Sequence, residues 1–198
     1  MFTDAEDAES DDIVSLEAAL THIEKRKNVL GGVVLSGGEP TLYDKLPQLI
    51  REIKTLKSTG VAVKLDTNGT MPEVLESLFS NAGTRPDYIA CDLKLSPQRY
   101  AQLGGAAESL AKSVELIKSS CIEHEFRSLV LPPDVFSEKD ITDLAPLAES
   151  SRWVFRPFKP ASSLPADWQA KTAATAADVK KAVAFAHGLG ANAVDPGL

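Results

Sequence analysis

Residues 33–44 read Val-Val-Leu-Ser-Gly-Gly-Glu-Pro-Thr-Leu-Tyr-Asp, and the change of character along them decides the fold. Val33-Val34-Leu35 is a short, uninterrupted apolar run with glycines on either side, the pattern of a strand buried on both faces. Ser36-Gly37-Gly38-Glu39-Pro40 follows as a turn in which two glycines leave backbone N–H and C=O groups approachable and Pro40 stiffens the exit. Asp44 can then cap a helix whose Leu46, Leu49, Ile50, Ile53 and Leu56 form one apolar stripe; Pro47 is acceptable there because it falls in the first turn. Buried strand, glycine-rich turn and amphipathic helix make one βα unit.

The unit repeats downstream. Gly60 ends the helix and Val61–Leu65 returns as a strand, after which Pro72 opens a helix carrying Val74, Leu75, Leu78 and Phe79. Tyr88–Cys91 is the next strand, and Leu110, Val114 and Ile117 mark the helix after it. Glu125–Leu131 is a strand stopped by Pro132 and Pro133; Ser137 with Asp140 resembles a capping box for a helix through Leu144 and Leu147, which Pro146 should kink or shorten. Trp153-Val154-Phe155 is a further strand, and a Pro-, Ala- and Ser-rich loop from Pro157 to about Lys171 leads to a last helix capped near Thr175 and ending at Gly188 or Gly190. Upstream, Ile13, Leu16, Leu20 and Ile23 stand at helical spacing, with Lys25, Arg26 and Lys27 at the C-terminal end where cations are favoured. Short apolar strands each followed by a helix predict an α/β fold: a parallel sheet covered on its outside, closed or partly closed into a (β/α) barrel.

Composition bounds the rest. With 198 residues, 43% hydrophobic and 25% charged, the chain is an ordinary single globular domain (13–198) behind an acidic tail (1–12). Acidic residues outnumber basic ones 28 to 21, for a net charge of −7, which argues against a nucleic-acid sleeve. No apolar run approaches the ~18 residues of a membrane span, and Met1–Ser10 has neither the basic nor the apolar region of a signal peptide, so the expected location is the cytoplasm. Two cysteines thirty positions apart, Cys91 and Cys121, make neither a disulfide framework nor a self-contained zinc site; each reads as an inert thiol. His22, His124 and His187 show no metal spacing, and Trp168 reads as a loop aromatic tucked onto the barrel.

In parallel barrels, chemistry sits where strands hand over to loops. After the second strand stand Asp66-Thr67-Asn68-Gly69, after the third Asp92-Leu93-Lys94; the next two strands offer Glu125 and Arg127, then Arg156 and, past Pro157, Lys159. Each has a structural explanation of its own: a tight βα turn at Gly37-Gly38, an ordinary Asn-Gly turn, a salt bridge within the barrel. Charges at four successive strand ends, with a glycine-rich turn at the fifth, point together to a site for a zwitterionic or anionic ligand, because charges set in such a place need partners.

These motifs resemble a known family. Leu35-Ser36-Gly37-Gly38-Glu39-Pro40-Thr41-Leu42 looks like the Gly-Gly-Glu-Pro motif of radical S-adenosylmethionine (radical SAM) enzymes. Lys64-Leu65-Asp66-Thr67-Asn68-Gly69 and Cys91-Asp92-Leu93-Lys94 follow at the spacing of the glycyl-radical-enzyme activating branch. Glu125-Phe126-Arg127, Phe155-Arg156-Pro157-Phe158 and residues 25–34 look most like anaerobic ribonucleoside-triphosphate reductase activating proteins; the resemblance covers roughly Ile13 to Phe158. It implies that Gly37, Gly38, Glu39 and Pro40 receive the methionyl amino group of S-adenosylmethionine. It further implies that Asp66, Asn68, Asp92, Lys94 and Arg127 surround the cosubstrate, that Asp66 and Asp92 can share a monovalent cation, and that the partners are a glycyl radical enzyme and an electron donor such as flavodoxin or ferredoxin.

The family's 4Fe–4S cluster is held by three cysteines, spaced by three and then two residues, after the first barrel strand; no such triplet occurs here. The expectation is therefore a barrel lacking its first strand and cluster loop, with no catalytic residue of its own for forming the 5′-deoxyadenosyl radical, and with an apolar sheet edge beside Val33-Val34-Leu35 that favours self-association. Two alternatives stand beside it: a non-catalytic descendant that binds a ligand or docks a protein, and an unrelated barrel enzyme. The second is disfavoured because no strand-end lysine with a nearby base and no late glycine-rich phosphate loop is present.

Overall fold

The computed structural model describes residues 14–56, 60–103, 107–162 and 164–197. Its framework is a six-stranded, all-parallel sheet in simple sequence order: β1 (Gly32–Leu35), β2 (Ala62–Thr67), β3 (Tyr88–Asp92), β4 (Glu123–Val130), β5 (Trp153–Pro157) and β6 (Ala193–Val194). The helices between them are α1 (Leu16–Arg26), α2 (Leu46–Thr55), α3 (Pro72–Phe79), α4 (Ala107–Ser119), α5 (Glu138–Ala148), a short α6 (Ala166–Gln169) and α7 (Ala176–Gly188). The sheet is open: β1 and β6 are its two ends. The expected partial (β/α) barrel is what the chain forms.

Period-2 alternation divides the strands into two faces. Val63 and Leu65 of β2, Ile89 and Cys91 of β3, Phe126 of β4 and Trp153 and Phe155 of β5 share one continuous core with Leu49, Ile50 and Ile53 of α2, Leu75 and Leu78 of α3, Leu110 and Ile117 of α4, and Val179 of α7. Trp153 and Phe155 pack with ring centroids 4.6 Å apart and planes tilted by 43°, and the buried indole N–H of Trp153 donates to Ser128 Oγ (3.0 Å), so the largest side chain of the core leaves no polar atom unpaired. The residues between these positions face the other way. In register they run Val34–Lys64–Tyr88–Glu123, then Asp66–Ala90–Glu125, then Asp92–Arg127–Val154–Val194, and finally Leu129–Arg156. One face is thus sealed by helices, and the opposite, open face carries the charges.

Several sequence expectations shift by a residue or two. α1 starts at Leu16, its N-terminus capped by Ser15, whose side chain accepts from the Ala18 N–H (3.1 Å). The acidic tail lies outside the described residues. Asp44 does not cap α2: the helix begins at Leu46 after Lys45, because the chain leaves the Gly-Gly-Glu-Pro turn through a single 3₁₀ turn (Pro40–Leu42) and the Leu46 N–H bonds the Tyr43 carbonyl. β2 runs to Thr67 and β3 to Asp92, placing both aspartates inside strands, where their orientation is fixed by the pleat. α5 ends two residues past Pro146. The Pro-rich loop contains α6, and Trp168 packs edge-on against Phe158 at 5.8 Å, as expected of an aromatic tucked onto the barrel. Four elements escaped the sequence reading: the 3₁₀ turn Pro40–Leu42, α6, the short β6, and a 3₁₀ segment after β3 (Pro97–Leu103) that bears on the site.

Candidate cosubstrate site at the strand ends

The C-terminal ends of β1, β2, β3 and β4 bring the predicted residues together through one connected set of hydrogen bonds. Gly37 and Gly38 lie exposed at the tip of the first turn. Gly37 has φ +102°, a conformation L side chains rarely adopt, and a Cβ built there would meet nothing within 4 Å, so open space lies directly over its backbone. Pro40 is buried and opens the 3₁₀ turn.

Glu39 points back into the structure. Its Oε1 accepts from Thr41 Oγ1 (2.6 Å), the Thr41 N–H (3.2 Å) and Thr67 Oγ1 (2.7 Å), while Oε2 accepts from the Asn68 N–H (2.6 Å). One carboxylate therefore fastens the β1 turn to the β2 turn. The β2 turn is closed further by Asn68 Oδ1, which accepts from the Thr70 N–H and hydroxyl, and by Thr67 Oγ1, which accepts from the Gly69 N–H. Gly69 sits at φ +72°, and a Cβ there would come within 3.0 Å of Cys91 Sγ and 3.2 Å of Leu110 Cδ1; only glycine lets this turn lie so low on β3 and α4.

Arg127 joins the two aspartates. Its Nη1 donates to Asp66 Oδ2 (2.7 Å) and its Nε to Asp92 Oδ1 (3.1 Å), with Nη2 also 3.0 Å from Asp92 Oδ1. Burial works against the charged guanidinium, but Asp92 and Asp66 more than offset it and hold its pKa above the usual arginine value. N–H groups on both Nη atoms remain for a further acceptor. Lys94, at the exposed rim, reaches to 3.7 Å from Asp92 Oδ2. Asp66 Oδ1 is buried without a hydrogen bond, and Lys64 Nζ, 3.5 Å away, compensates its charge. The Arg127 guanidinium supplies compensating charge between the two carboxylates.

Below the rim a second ionic group continues along the open face. Glu125 is 3.7 Å from Lys64 Nζ and 3.6 Å from Arg152 Nε, and accepts from the Tyr88 hydroxyl (3.2 Å). Burial and the neighbouring Glu125 push the Tyr88 phenol up to about 12, so it remains a donor.

Tyr100 is the site residue that sequence reasoning missed. It is buried on the 3₁₀ segment after β3, and its hydroxyl lies 3.1 Å from the carbonyl oxygens of both Asn68 and Asp92, bracing the two strand ends from behind. Burial and the nearby Cys91 and Asp92 raise its pKa, keeping the donor proton in place. Its segment is pinned in turn by Asp140, which accepts from the Ser96 N–H (3.0 Å) and from Arg99 Nη1 (2.9 Å). An aromatic residue within a polar loop gives no signal by period or motif.

Neither cysteine is placed to hold a metal at this rim. Cys91 is fully buried on the helix-covered face, where burial drives its thiol pKa far up, and Cys121 precedes β4 at the opposite end of the sheet. Among the described residues no group of three His, Cys, Asp or Glu side chains could hold a metal ion. A cavity of about 610 Å³ lies elsewhere, between the β4–α5 loop, α5 and α7; Pro132, Phe136, Ile141 and Phe185 are among its lining and no rim residue is.

The architecture and the rim define an α/β partial barrel with a preorganised polar cradle at the ends of its first four strands. Comparison with known proteins places it: residues 2–145 match the family model described as the radical SAM superfamily, and the chain belongs to that superfamily. The superfamily's cofactors are S-adenosylmethionine and a 4Fe–4S cluster. A protein of Methanocaldococcus jannaschii named "Putative glycyl-radical enzyme activating enzyme" is 36% identical over 120 residues, 57% of this chain and 48% of that protein. A GTP 3′,8-cyclase of Microcystis aeruginosa is 26% identical over 127 residues, 62% of this chain and 38% of the cyclase. The chain thus spans about half the length of the first relative and less of the second. Among solved structures, Streptococcus suis SuiB bound to S-adenosylmethionine shares the fold with a TM-score of 0.63 at 15% identity, over 96% of this chain and 45% of SuiB. No helix among the described residues is long and apolar enough to cross a membrane.

Proposed function

We propose that the rim formed by Gly37, Gly38, Asp66, Asp92, Lys94 and Arg127 binds the amino-acid portion of S-adenosylmethionine, and that the protein is an activase of a glycyl radical enzyme. The observation that carries this reading is the Arg127 bridge between Asp66 and Asp92 beside the open Gly37 turn. The cosubstrate's α-ammonium is a donor suited to carbonyl oxygens of the exposed Gly37–Gly38 turn; its carboxylate is an acceptor suited to the remaining N–H groups of Arg127 and to Lys94. Glu39, Pro40 and Asn68 serve this site by holding its turns.

The activase branch is supported by the 36% identical relative and by the Asp66-Thr67-Asn68-Gly69 and Asp92-Leu93-Lys94 motifs. Within that branch the substrate we favour is anaerobic ribonucleotide reductase, with flavodoxin or ferredoxin as electron donor. The 4Fe–4S cluster, when bound, supplies the electron that cleaves the sulfonium; the described residues of this chain do not fit it, and the radical step is not theirs.

Isothermal titration with S-adenosylmethionine tests the reading. Asp66→Asn and Asp92→Asn, which keep the volume and remove one charge each, are expected to weaken binding about tenfold or more, the scale of one charge-assisted hydrogen bond. The chain alone, treated anaerobically with iron, sulfide and reductant, is expected to yield no 5′-deoxyadenosine. Unchanged affinity in both variants would remove the cosubstrate from this rim.

A further inference from the structure

The open face is not uniform in its charge pairing. From the rim down to Glu125 the ionised side chains of β2, β3 and β4 are paired: Lys64 with Asp66 and Glu125, Arg127 with Asp66 and Asp92, Asp92 also with Lys94, and Glu125 also with Arg152; the exposed Glu123, at the far end of β4, stands outside this network. Arg156 breaks the pattern. It stands two residues beyond Val154, which is the register partner of Arg127, and so shares Arg127's face one pleat nearer the strand ends. It is exposed and makes no hydrogen bond or ion pair with any described residue. Its own register partner, Leu129, is 44% exposed, a large apolar side chain left open on the same face. Lys159, exposed and likewise unpaired among the described residues, follows just past the strand.

Two strand spacings of ~4.8 Å separate β5 from β3, and one pleat repeat is ~6.6 Å, so the backbones of Arg156 and Asp92 lie roughly 12 Å apart. That is the distance of a second molecule lying beside the cosubstrate. The charge sum points the same way. Asp66, Asp92, Glu123 and Glu125 share the open face with Lys64, Lys94, Arg127, Arg152 and Arg156, leaving an excess of one positive charge (five against four) in a chain whose net charge is −7. S-adenosylmethionine, with one carboxylate against an ammonium and a sulfonium, adds a further positive charge instead of neutralising the excess.

We infer that Arg156, with Leu129 beside it, receives an oxyanion of the second substrate, an anionic group attached to an apolar body. The inference rests on S-adenosylmethionine occupying the Asp66–Arg127–Asp92 rim. Both a phosphate and the carboxylate of an acidic peptide segment share the chemistry that a guanidinium reads, two acceptor oxygens in one plane.

The test follows the Arg156 Nε–H resonance in ¹⁵N spectra of the full chain, assigned by its disappearance in Arg156→Lys, during titration with tripolyphosphate and, separately, with a pentaglutamate peptide. A saturable shift of Arg156 with at least one probe, an affinity about tenfold weaker in Arg156→Gln when followed by the Leu129 amide, and an unchanged affinity in the surface control Arg26→Gln are expected. A response to tripolyphosphate only assigns the site to a phosphorylated substrate, and a response to the peptide only assigns it to an acidic protein segment. Shifts that do not saturate, or that spread equally over Arg26 and Arg51, overturn the inference. So does a loss of S-adenosylmethionine affinity in Arg156→Gln, which would place Arg156 in the cosubstrate's own site. Failure of the wild-type chain to bind S-adenosylmethionine at all would instead defeat the cosubstrate reading, whatever the anion titrations show.

Discussion

The substitution Glu39→Gln tests how the site is built, because the structure fixes what each orientation of the new amide would face. The carboxylate accepts four hydrogen bonds, two from backbone N–H groups that cannot turn away and two from threonine hydroxyls that can. The glutamine amide can at best keep its oxygen on the Asn68 N–H and offer its nitrogen to Thr41 Oγ1 and Thr67 Oγ1, which rotate to accept. The Thr41 N–H then loses its partner, and the bond to Asn68 loses the help of a full charge. A hydrogen bond to an ionised group is worth about 1.5–3 kcal/mol net, and an unsatisfied buried donor costs about 1–3 kcal/mol. Glu39 is half-buried, so the lower ends apply, and the expected loss is about 2 kcal/mol out of the roughly 5–15 kcal/mol that typically holds a domain together. Urea unfolding measures that loss directly. Amide hydrogen exchange locates it: the Asn68 and Thr41 N–H groups should exchange faster, while core amides on β3 change only by the global difference. Stability within about 0.5 kcal/mol of wild type, the scatter of an ordinary surface substitution, with Asn68 protection unaltered, would refute the role of Glu39 as the fastening between the two turns.

Gly69→Ala should destabilise by about 2–4 kcal/mol, combining ~1–2 kcal/mol for a left-handed alanine with a similar cost for overpacking Cys91 and Leu110; thermal unfolding lowered by less than ~3 °C would contradict the close approach. Asp140 gives an acid-limb prediction. Burial opposes its charge, but the N–H groups of Ser96 and Ser137, the Ser137 hydroxyl and Arg99 outweigh that and lower its pKa. A carboxylate whose folded pKa lies below its unfolded value of about 3.9 contributes its full stability above that value and loses it as pH falls through the folded pKa. Asp140→Asn should therefore cost stability near neutrality and show a flatter decline below about pH 4, measured by urea midpoints from about pH 3 to pH 7; parallel pH curves for the two proteins would count against it.

The alternation of the fold was legible because strand and helix announce themselves locally. A buried parallel strand needs a short apolar run, and a covering helix needs a stripe at 3.6-residue spacing; Val33–Leu35 with Leu46–Ile53 shows both within one unit. The strand-end position of Asp66, Asp92 and Arg127 followed from that pattern. What misled was the boundary: Asp66 and Asp92 were expected just after their strands and lie inside them, because backbone pairing with β3 and β4 extends the ladder beyond the apolar run. Tyr100 stayed hidden because its function is a contact between its hydroxyl and two carbonyls, from Asn68 and from Asp92, that are distant or unremarkable in the chain.

The order of residues alone determined the class of fold, the glycine-rich turn and the set of charged side chains delivered to one end of the sheet, since each depends on neighbours within a few positions. Only the folded chain decided which charges meet. Arg127 is 61 residues from Asp66 and 35 from Asp92, yet closes on both; Arg156, on the next strand of the same face, is left without a partner among the described residues. Pairing across a sheet depends on register and on the reach of each side chain, and both are set when the strands align.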